Sequence, residues 1–133
     1  MPLVLYSLFA LALFPILMAW IGAYFRVKEF GRFDNNHPRQ QQSQLTGAGA
    51  RAMGAQANSW ETLQIFTVVV FIAYVAGVDL ASLDQVGLLF LALRVLYALL
   101  YLMNLALWRS IVYSLGMACC IYIFVVAVQQ AAA

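Results

Sequence analysis

Polar side chains form a narrow stripe where the sequence enters an apolar segment after residue 50. On a helical wheel the members of this stripe stand at offsets 0, 3, 7 and 10, and they are Arg51, Gly54, Asn58 and Glu61. A second apolar segment repeats the same four offsets with Arg94, Tyr97, Tyr101 and Asn104. An ionisable group at membrane depth costs roughly 2.5 kcal/mol or more unless it has a partner, so both stripes are candidate functional sites. The alternative is that the two stripes only hold the helices of a bundle together.

The composition indicates the class of protein. Hydrophobic residues make up 65% of the 133 residues and charged residues only 9%, whereas soluble domains are about half apolar and a quarter charged. The net charge is only +2 and no basic patch is interleaved with aromatic residues, so nucleic acid is not an expected partner. We therefore interpret the chain as an integral membrane protein.

Segments without charge predict the membrane spans. Each is close to the ~20 residues that cross a hydrocarbon core of ~30 Å, and together they predict an all-α, four-helix bundle in a single domain, residues 1–133. The predicted spans cover about residues 3–25, 48–78, 85–107 and 109–131. The first segment lacks a basic stretch before its apolar run, so we interpret it as a mature span and not as a signal peptide.

The connections predict the orientation in the membrane. Five cations lie between spans one and two or in the first turn of span two, and Arg109 lies at the connection between spans three and four. The middle connection carries Asp79 and Asp84 and no cation. By the positive-inside rule, the first and third connections face the cytoplasm and both termini face away from it. The expected location is a bacterial inner membrane or a membrane of the endoplasmic-reticulum type.

The connection at residues 26–45 is the longest polar segment of the chain. Because Arg26 and Arg32 flank a span end where anions could bind, we expect part of this loop to order over a ligand; the alternative is a solvated loop. Thr46 is expected to be the N-cap of the second span. His37 has no second ligand at metal spacing, so no metal site is predicted.

Counting residues inward gives an expected depth for each polar group. Measured from Asp79, Glu61 lies ~27 Å from the outer end of its span; measured from Asp84, Arg94 lies only ~15 Å in. Tyr101 therefore shares a level with Glu61, and Arg94 is expected about two turns deeper. A salt bridge between Arg94 and Glu61 would need long side chains or a tilted helix.

Three motifs resemble the MAPEG superfamily, membrane-associated proteins of eicosanoid and glutathione metabolism that include the microsomal glutathione transferases. They are RAMGAQANSWE at residues 51–61, RVLYALLY at residues 94–101, and Arg109. The length, the four spans and the long first cytoplasmic loop are also similar. The resemblance implies a homotrimer of four-helix subunits, with glutathione bound between adjacent subunits in a site open to the cytoplasm and the lipid.

The resemblance also implies roles for single residues. Asn58 and Glu61 match positions that contact glutathione, with Glu61 at its amino group. Tyr97 and Tyr101 match tyrosines that contact the peptide. Arg109 matches the arginine thought to stabilise the thiolate, and it is the predicted catalytic residue.

The remaining arginines have other implied roles. Arg26 matches an arginine at the end of span one that binds the ligand, and Arg94 matches an arginine that is structural. Gly54 stands where many transferases of the family carry arginine. Arg51, one turn earlier on the same stripe, is expected to reach the glutathione carboxylate that the family arginine would bind.

The predicted function is that of a glutathione-dependent transferase or peroxidase acting on lipophilic electrophiles. Its partners would be glutathione as co-substrate, lipids or lipophilic small molecules from the bilayer, and further copies of the chain. One alternative is a non-catalytic MAPEG-fold protein that binds ligands or acts as a scaffold. A second is a small transporter that uses Glu61 as a proton or cation site. The apolar outer halves of the four spans argue against transport.

Overall fold

The computed structural model describes all of residues 1–133, and every regular element in it is helical. Four helices are long and apolar enough to cross a membrane, and a short helix and one 3₁₀ turn lie in the connections. The elements are α1 (Leu3–Phe30), α2 (Pro38–Ser43), α3 (Gly47–Val75), a 3₁₀ turn (Leu80–Leu83), α4 (Asp84–Leu102) and α5 (Ala106–Ala131). The predicted all-α class with four spans is confirmed.

Two helices end just before residues with left-handed backbone angles, and these ends differ from the span ends that were predicted from the positions of charged residues. Helix α1 runs on to Phe30 and ends at Gly31, whose φ of 73° is left-handed and whose N–H donates to the Val27 carbonyl. Helix α4 ends earlier than predicted, because Asn104 adopts a φ of 61°. Asparagine tolerates this conformation better than other side chains do. Asn104 therefore lies in the turn before α5 and does not continue the stripe of α4.

The main core lies in the half of the bundle that contains the α3–α4 connection and is centred on two aromatic rings. Phe66 of α3 and Phe90 of α4 are both fully buried and stack with centroids 4.3 Å apart and planes 3° apart. Gly116 of α5 lies against the Phe90 ring, where an added Cβ would be 3.5 Å away. The stack therefore sets the register of three helices at one level.

This register corrects the depths that counting predicted. From the Phe66–Phe90 level, Glu61 lies about 7 Å and Arg94 about 6 Å toward the end of the bundle where α4 ends and α5 begins. The two residues thus share a level, and the prediction that Arg94 lies two turns deeper was wrong. The count had started at Asp79, but α3 already ends at Val75.

Asp84 joins two helix ends at the opposite end of the bundle, where α1 and α4 begin. It is the first residue of α4, and its Oδ1 accepts a hydrogen bond of 3.0 Å from the N–H of Val4, in the first turn of α1. A carboxylate at a helix N-terminus is favoured by the helix dipole and satisfies a free N–H. Gly87, one turn further, packs against the backbone of Val4. This pair of contacts anchors α1 to α4.

The first loop is ordered by its own polar contacts. Oδ1 of Asp34 accepts the N–H groups of Asn36 and His37 at 2.9 and 3.0 Å, and these bonds hold the pKa of that carboxyl below its usual range. The Gln41 amide donates to the Arg32 carbonyl and accepts from the Asp34 N–H. These contacts give the loop a defined conformation.

Thr46 stands at the N-cap position of α3, as predicted, but its side chain does not cap the helix. Its hydroxyl donates to Glu29 Oε1 at 2.8 Å, and its N–H donates to Glu29 Oε2 at 3.2 Å. Glu29 belongs to the last turn of α1. This contact joins the end of α1 to the start of α3.

Truncating the central ring should destabilise the whole bundle. We expect Phe90→Ala to lower the free energy of unfolding by about 3–5 kcal/mol, the usual cost of removing a buried phenylalanine. Leu89→Ala is the matched control, because Leu89 is the neighbouring residue and is 53% exposed. The measurement is denaturant unfolding in detergent micelles followed by circular dichroism. Equal stability of the two variants would contradict the position of Phe90 in the core.

Candidate functional site

A cleft of about 310 Å³ opens where α3, α4 and the first turns of α5 meet. That volume lies at the lower end of the range for small-molecule sites. Six residues line the cleft, and all of them have polar or charged groups that can act as hydrogen-bond donors or acceptors: Asn58, Tyr97, Arg109, Ser110, Tyr113 and Ser114. The two polar stripes therefore meet, as the sequence predicts for helices that shield polar groups from lipid.

The two stripes are joined through the amide of Asn58. Arg94 Nη2 donates to Asn58 Oδ1 at 2.7 Å, and Asn58 Nδ2 donates to Glu61 Oε2 at 3.1 Å. The direct salt bridge between Arg94 and Glu61 is not formed, since the one ion pair within 4 Å in the chain joins His37 and Asp34. Asn58 thus relays the contact from the guanidinium to the carboxylate.

Arg94 itself is buried inside the helix bundle. Its side chain is 2% exposed, and its guanidinium carbon lies 4.2 Å from the centre of the Tyr97 ring. Nε has no hydrogen-bond partner. Arg94 does not line the cleft, and it acts on the cleft through Asn58 and Tyr97.

Arg109 is held over the cleft by aromatic rings. Its guanidinium carbon lies 4.1 Å from the centre of the Tyr101 ring. Tyr97 packs edge-on against Tyr101, with centroids 5.7 Å apart, and lies 6.1 Å from the Tyr113 ring. A cation on an aromatic face gains about 0.5–2 kcal/mol, more when water is excluded. The rings therefore position Arg109 while leaving its donors free for a ligand.

Three cleft residues of α5 were missed in the sequence: Ser110, Tyr113 and Ser114. The hydroxyls of Ser110 and Ser114 donate to carbonyls four residues earlier, both at 3.1 Å. Their protons are thereby used within the helix, and their lone pairs stay available to accept from a ligand. The spacing of these residues after Arg109 puts them on one helical face, which is the signal that could have revealed them.

Gly54 lets Tyr101 lie directly against α3. A Cβ at position 54 would overlap the Tyr101 hydroxyl and would stand 2.7 Å from its ring carbon Cζ. Tyr101 thus occupies the space that a longer side chain at this position would need.

Arg51, which was predicted to bind a carboxylate of glutathione, contacts the end of α4. Its Nε donates to the carbonyl of Leu102, the last residue of that helix, at 3.1 Å. A cation at a helix C-terminus satisfies a free carbonyl and is favoured by the dipole. Its terminal guanidinium nitrogens make no hydrogen bond within the chain.

Arg26 lies outside the cleft. It is 6% exposed, donates through Nη1 to the Pro38 carbonyl at 3.0 Å, and packs its guanidinium 4.2 Å from the Phe33 ring centre. The preceding residue, Phe25, contacts α3 at Gly49, which is about 13 Å along the helix from Asn58. Within the chain, Arg26 holds the first loop against α1.

Comparison with known proteins gives one match. The model of the MAPEG family matches residues 3–129, which is nearly the whole chain. No curated protein and no solved structure matches significantly.

The Arg94–Asn58 pair should respond asymmetrically to substitution. Asn58→Leu leaves a buried guanidinium without its partner and should cost about 3–5 kcal/mol of unfolding free energy. Arg94→Leu leaves only an amide oxygen unpaired and should cost about 1–3 kcal/mol. The double variant should be more stable than Asn58→Leu alone.

Denaturant unfolding in detergent measures all three variants, with Arg39→Leu as the exposed control. A double variant that is no more stable than Asn58→Leu would show that the two side chains are not coupled.

Proposed function

This chain belongs to the MAPEG family, and we propose that it is a glutathione-dependent transferase or peroxidase that acts on lipophilic electrophiles within the membrane. The observation that carries the proposal is the position of Arg109. A guanidinium is held on the Tyr101 ring, beside a polar cleft in an otherwise apolar bundle.

Glutathione would supply the thiol nucleophile of the reaction. A thiol is mostly protonated at neutral pH, and a nearby cation shifts it toward the reactive thiolate. The effect of a cation is larger in a partly water-excluded cleft than in water. Arg109 is therefore the residue that we propose to favour the thiolate.

The polar groups of the cleft fit a zwitterionic peptide. One oxygen of Glu61 accepts from Asn58, and the other can accept from the ammonium of glutathione. The hydroxyls of Tyr97 and Tyr113 can donate to peptide carbonyls, and the serine oxygens can accept from peptide N–H groups. The terminal nitrogens of Arg51 remain for a carboxylate, and Arg26 would have to act from a neighbouring subunit.

An apolar groove next to the cleft supports the choice of a lipophilic second substrate. It has a volume of about 330 Å³ between α4 and α5, and one of its residues, Leu93, lies one turn from Tyr97. The other lining residues are also apolar or aromatic: Val86, Leu89, Leu115, Ala118, Cys119 and Tyr122. An electrophile that enters this groove from the bilayer would be held beside the thiolate, and holding the two reactants together would speed their reaction.

Two reactions are compatible with this arrangement. In conjugation, the thiolate sulfur forms a bond to an electrophilic carbon while the leaving group takes the electron pair. In peroxide reduction, a lipid hydroperoxide becomes the alcohol and water as two thiols are oxidised to a disulfide. Both need the thiolate beside an apolar substrate.

The proposed assembly is a homotrimer with the cleft at a subunit boundary, both termini outside and the loop of residues 26–45 in the cytoplasm. Glu61 supports the boundary, because this carboxylate is exposed on the surface of the isolated subunit within an apolar span. A carboxylate facing lipid is costly, so it needs cover from a second copy or from the ligand. Trp60 and Trp108 are 45% and 59% exposed near the same end of the bundle, where an interfacial aromatic belt is expected.

A non-catalytic member of the family is the second candidate function. It is favoured by the contact of Tyr101 with Gly54 and by the use of Arg51 at the end of α4. The first feature leaves no room for an arginine at position 54, and the second restricts Arg51 to ligands that its two terminal nitrogens can reach. A protein of this kind would keep the cleft for binding or assembly without activating a thiol.

Replacing Arg109 should separate the two candidates. We expect the thiolate ultraviolet absorbance, measured on titrating glutathione into the detergent-purified protein, to fall about tenfold or more in Arg109→Ala, because an adjacent cation shifts ionisation by about one to three powers of ten. Arg109→Lys should recover part of the signal, since it keeps the charge and loses the planar donor geometry.

Calorimetric binding of glutathione to the same samples is the control. An equal thiolate signal in the wild type and in Arg109→Ala would remove Arg109 from the mechanism. No signal and no binding in the wild type would favour the non-catalytic candidate.

The assembly can be tested without any ligand. We expect native mass spectrometry in mild detergent to detect trimers, because the exposed Glu61 needs cover. Ile65→Cys, on the same face of α3 and 39% exposed, should form crosslinks between subunits, whereas the native Cys119 and Cys120 are buried and serve as the background. A clean monomer in both measurements would overturn the proposed assembly.

A further inference from the structure

We propose that Gly54 is a positioning residue for Arg109, and that it acts through Tyr101. The absence of a side chain at position 54 allows the Tyr101 ring to lie against α3, and the ring in turn places the guanidinium over the cleft. The effect on thiol activation rests on the proposed function, but the effect on the position of Arg109 does not.

Space, and not backbone conformation, explains a glycine at this position. Glycine is disfavoured inside helices, yet Gly54 lies within α3 and has no left-handed φ. An added Cβ would overlap the Tyr101 hydroxyl and stand 2.7 Å from Cζ and 3.2 Å from Cε1. The position therefore accommodates a close approach between α3 and this ring.

The ring of Tyr101 cannot easily give way. At Gly22 an added Cβ would meet the terminal carbon of Met53, a flexible side chain that can swing aside. Tyr101 is a rigid ring, held by the edge of Tyr97 on one side and covered by the Arg109 guanidinium. A methyl group at position 54 must therefore move the ring itself.

The guanidinium of Arg109 depends on that ring. It makes no hydrogen bond and no ion pair within the chain. Its one cation–aromatic contact is with the Tyr101 ring, whose centre lies 4.1 Å from the guanidinium carbon. When the ring moves, nothing else in the subunit holds the guanidinium at the cleft. Moving a charge from about 4 Å to about 6 Å from a thiolate lowers the preference for the ionised form about tenfold in a medium of intermediate dielectric constant.

The first test follows Arg109 directly, without any ligand. The rate at which phenylglyoxal modifies Arg109 is measured by peptide mass spectrometry in wild type and Gly54→Ala, with the exposed Arg32 as internal reference. We expect faster modification of Arg109 in Gly54→Ala, because the guanidinium loses its ring. Gly116→Ala is the matched control, since its added Cβ would be in ordinary contact at 3.5 Å from Phe90.

The second test places Gly54→Ala in a Tyr101→Phe background. This background removes the nearest atom, the hydroxyl, and keeps the ring under Arg109. The effect of Gly54→Ala on the modification rate should therefore be smaller there than in wild type, as expected for coupled neighbours. An equal effect in both backgrounds, or an unchanged Arg109 rate in Gly54→Ala, overturns the positioning role.

The third measurement links position to chemistry. With glutathione, Gly54→Ala should lower the thiolate absorbance about tenfold, while Gly116→Ala keeps it. A mobile Arg109 with a full thiolate signal would overturn the link to thiol activation. If wild type binds no glutathione, the proposed function fails, and the modification rates still decide whether Gly54 positions Arg109.

Discussion

A guanidinium buried among apolar helices is the constraint on which the rest of this structure depends. Arg94 is 2% exposed within a predicted membrane span, where an unpaired charge is costly. The hydrogen bond to Asn58 reduces this cost. Because the bond joins α3 to α4, it also fixes the rotation of one helix against the other. Once that rotation is fixed, Glu61 and Tyr97 must stand at the same edge of the bundle. The cleft is therefore a consequence of satisfying Arg94.

Much of the fold followed from the absence of charge in four segments, because lipid imposes helices and a minimum length. The meeting of the two stripes also followed, since Asn58 and Tyr97 line one cleft. The depth of Arg94 did not. Counting from Asp79 assumed that α3 continues to the charge, whereas the chain turns after Val75, with Gly77 in a left-handed conformation. A turn of this kind depends on local backbone angles, which the spacing of charges does not report.

The site was predictable where it rested on charge and less so where it rested on packing. Glu61 and Arg109 stand out as rare ionisable groups near membrane spans. Ser110 and Ser114 do not, because serines whose hydroxyls bond to their own helix are common in apolar helices. Arg51 was predicted on the ligand from its stripe, and the hydrogen bond from its Nε to the end of α4 was not predicted. The spacing of polar residues in the sequence shows which face of a helix they share. It does not show which group of a neighbouring helix, such as the carbonyl at the end of α4, each side chain contacts.

The placement of the cleft suits the two substrates of the proposed reaction. In the proposed reaction, a charged, water-soluble thiol would enter from the water at the end of the bundle where Arg109 and the exposed tryptophans lie, while an apolar electrophile would concentrate in the hydrocarbon region. A site at the boundary between water and hydrocarbon can receive both substrates, because the thiol need not enter the hydrocarbon and the electrophile need not enter the water. Holding the cation on Tyr101 then has a physical advantage over holding it on a carboxylate. A carboxylate partner would neutralise Arg109 before the thiolate arrives, whereas an aromatic face orients the guanidinium and leaves its full charge for the ligand.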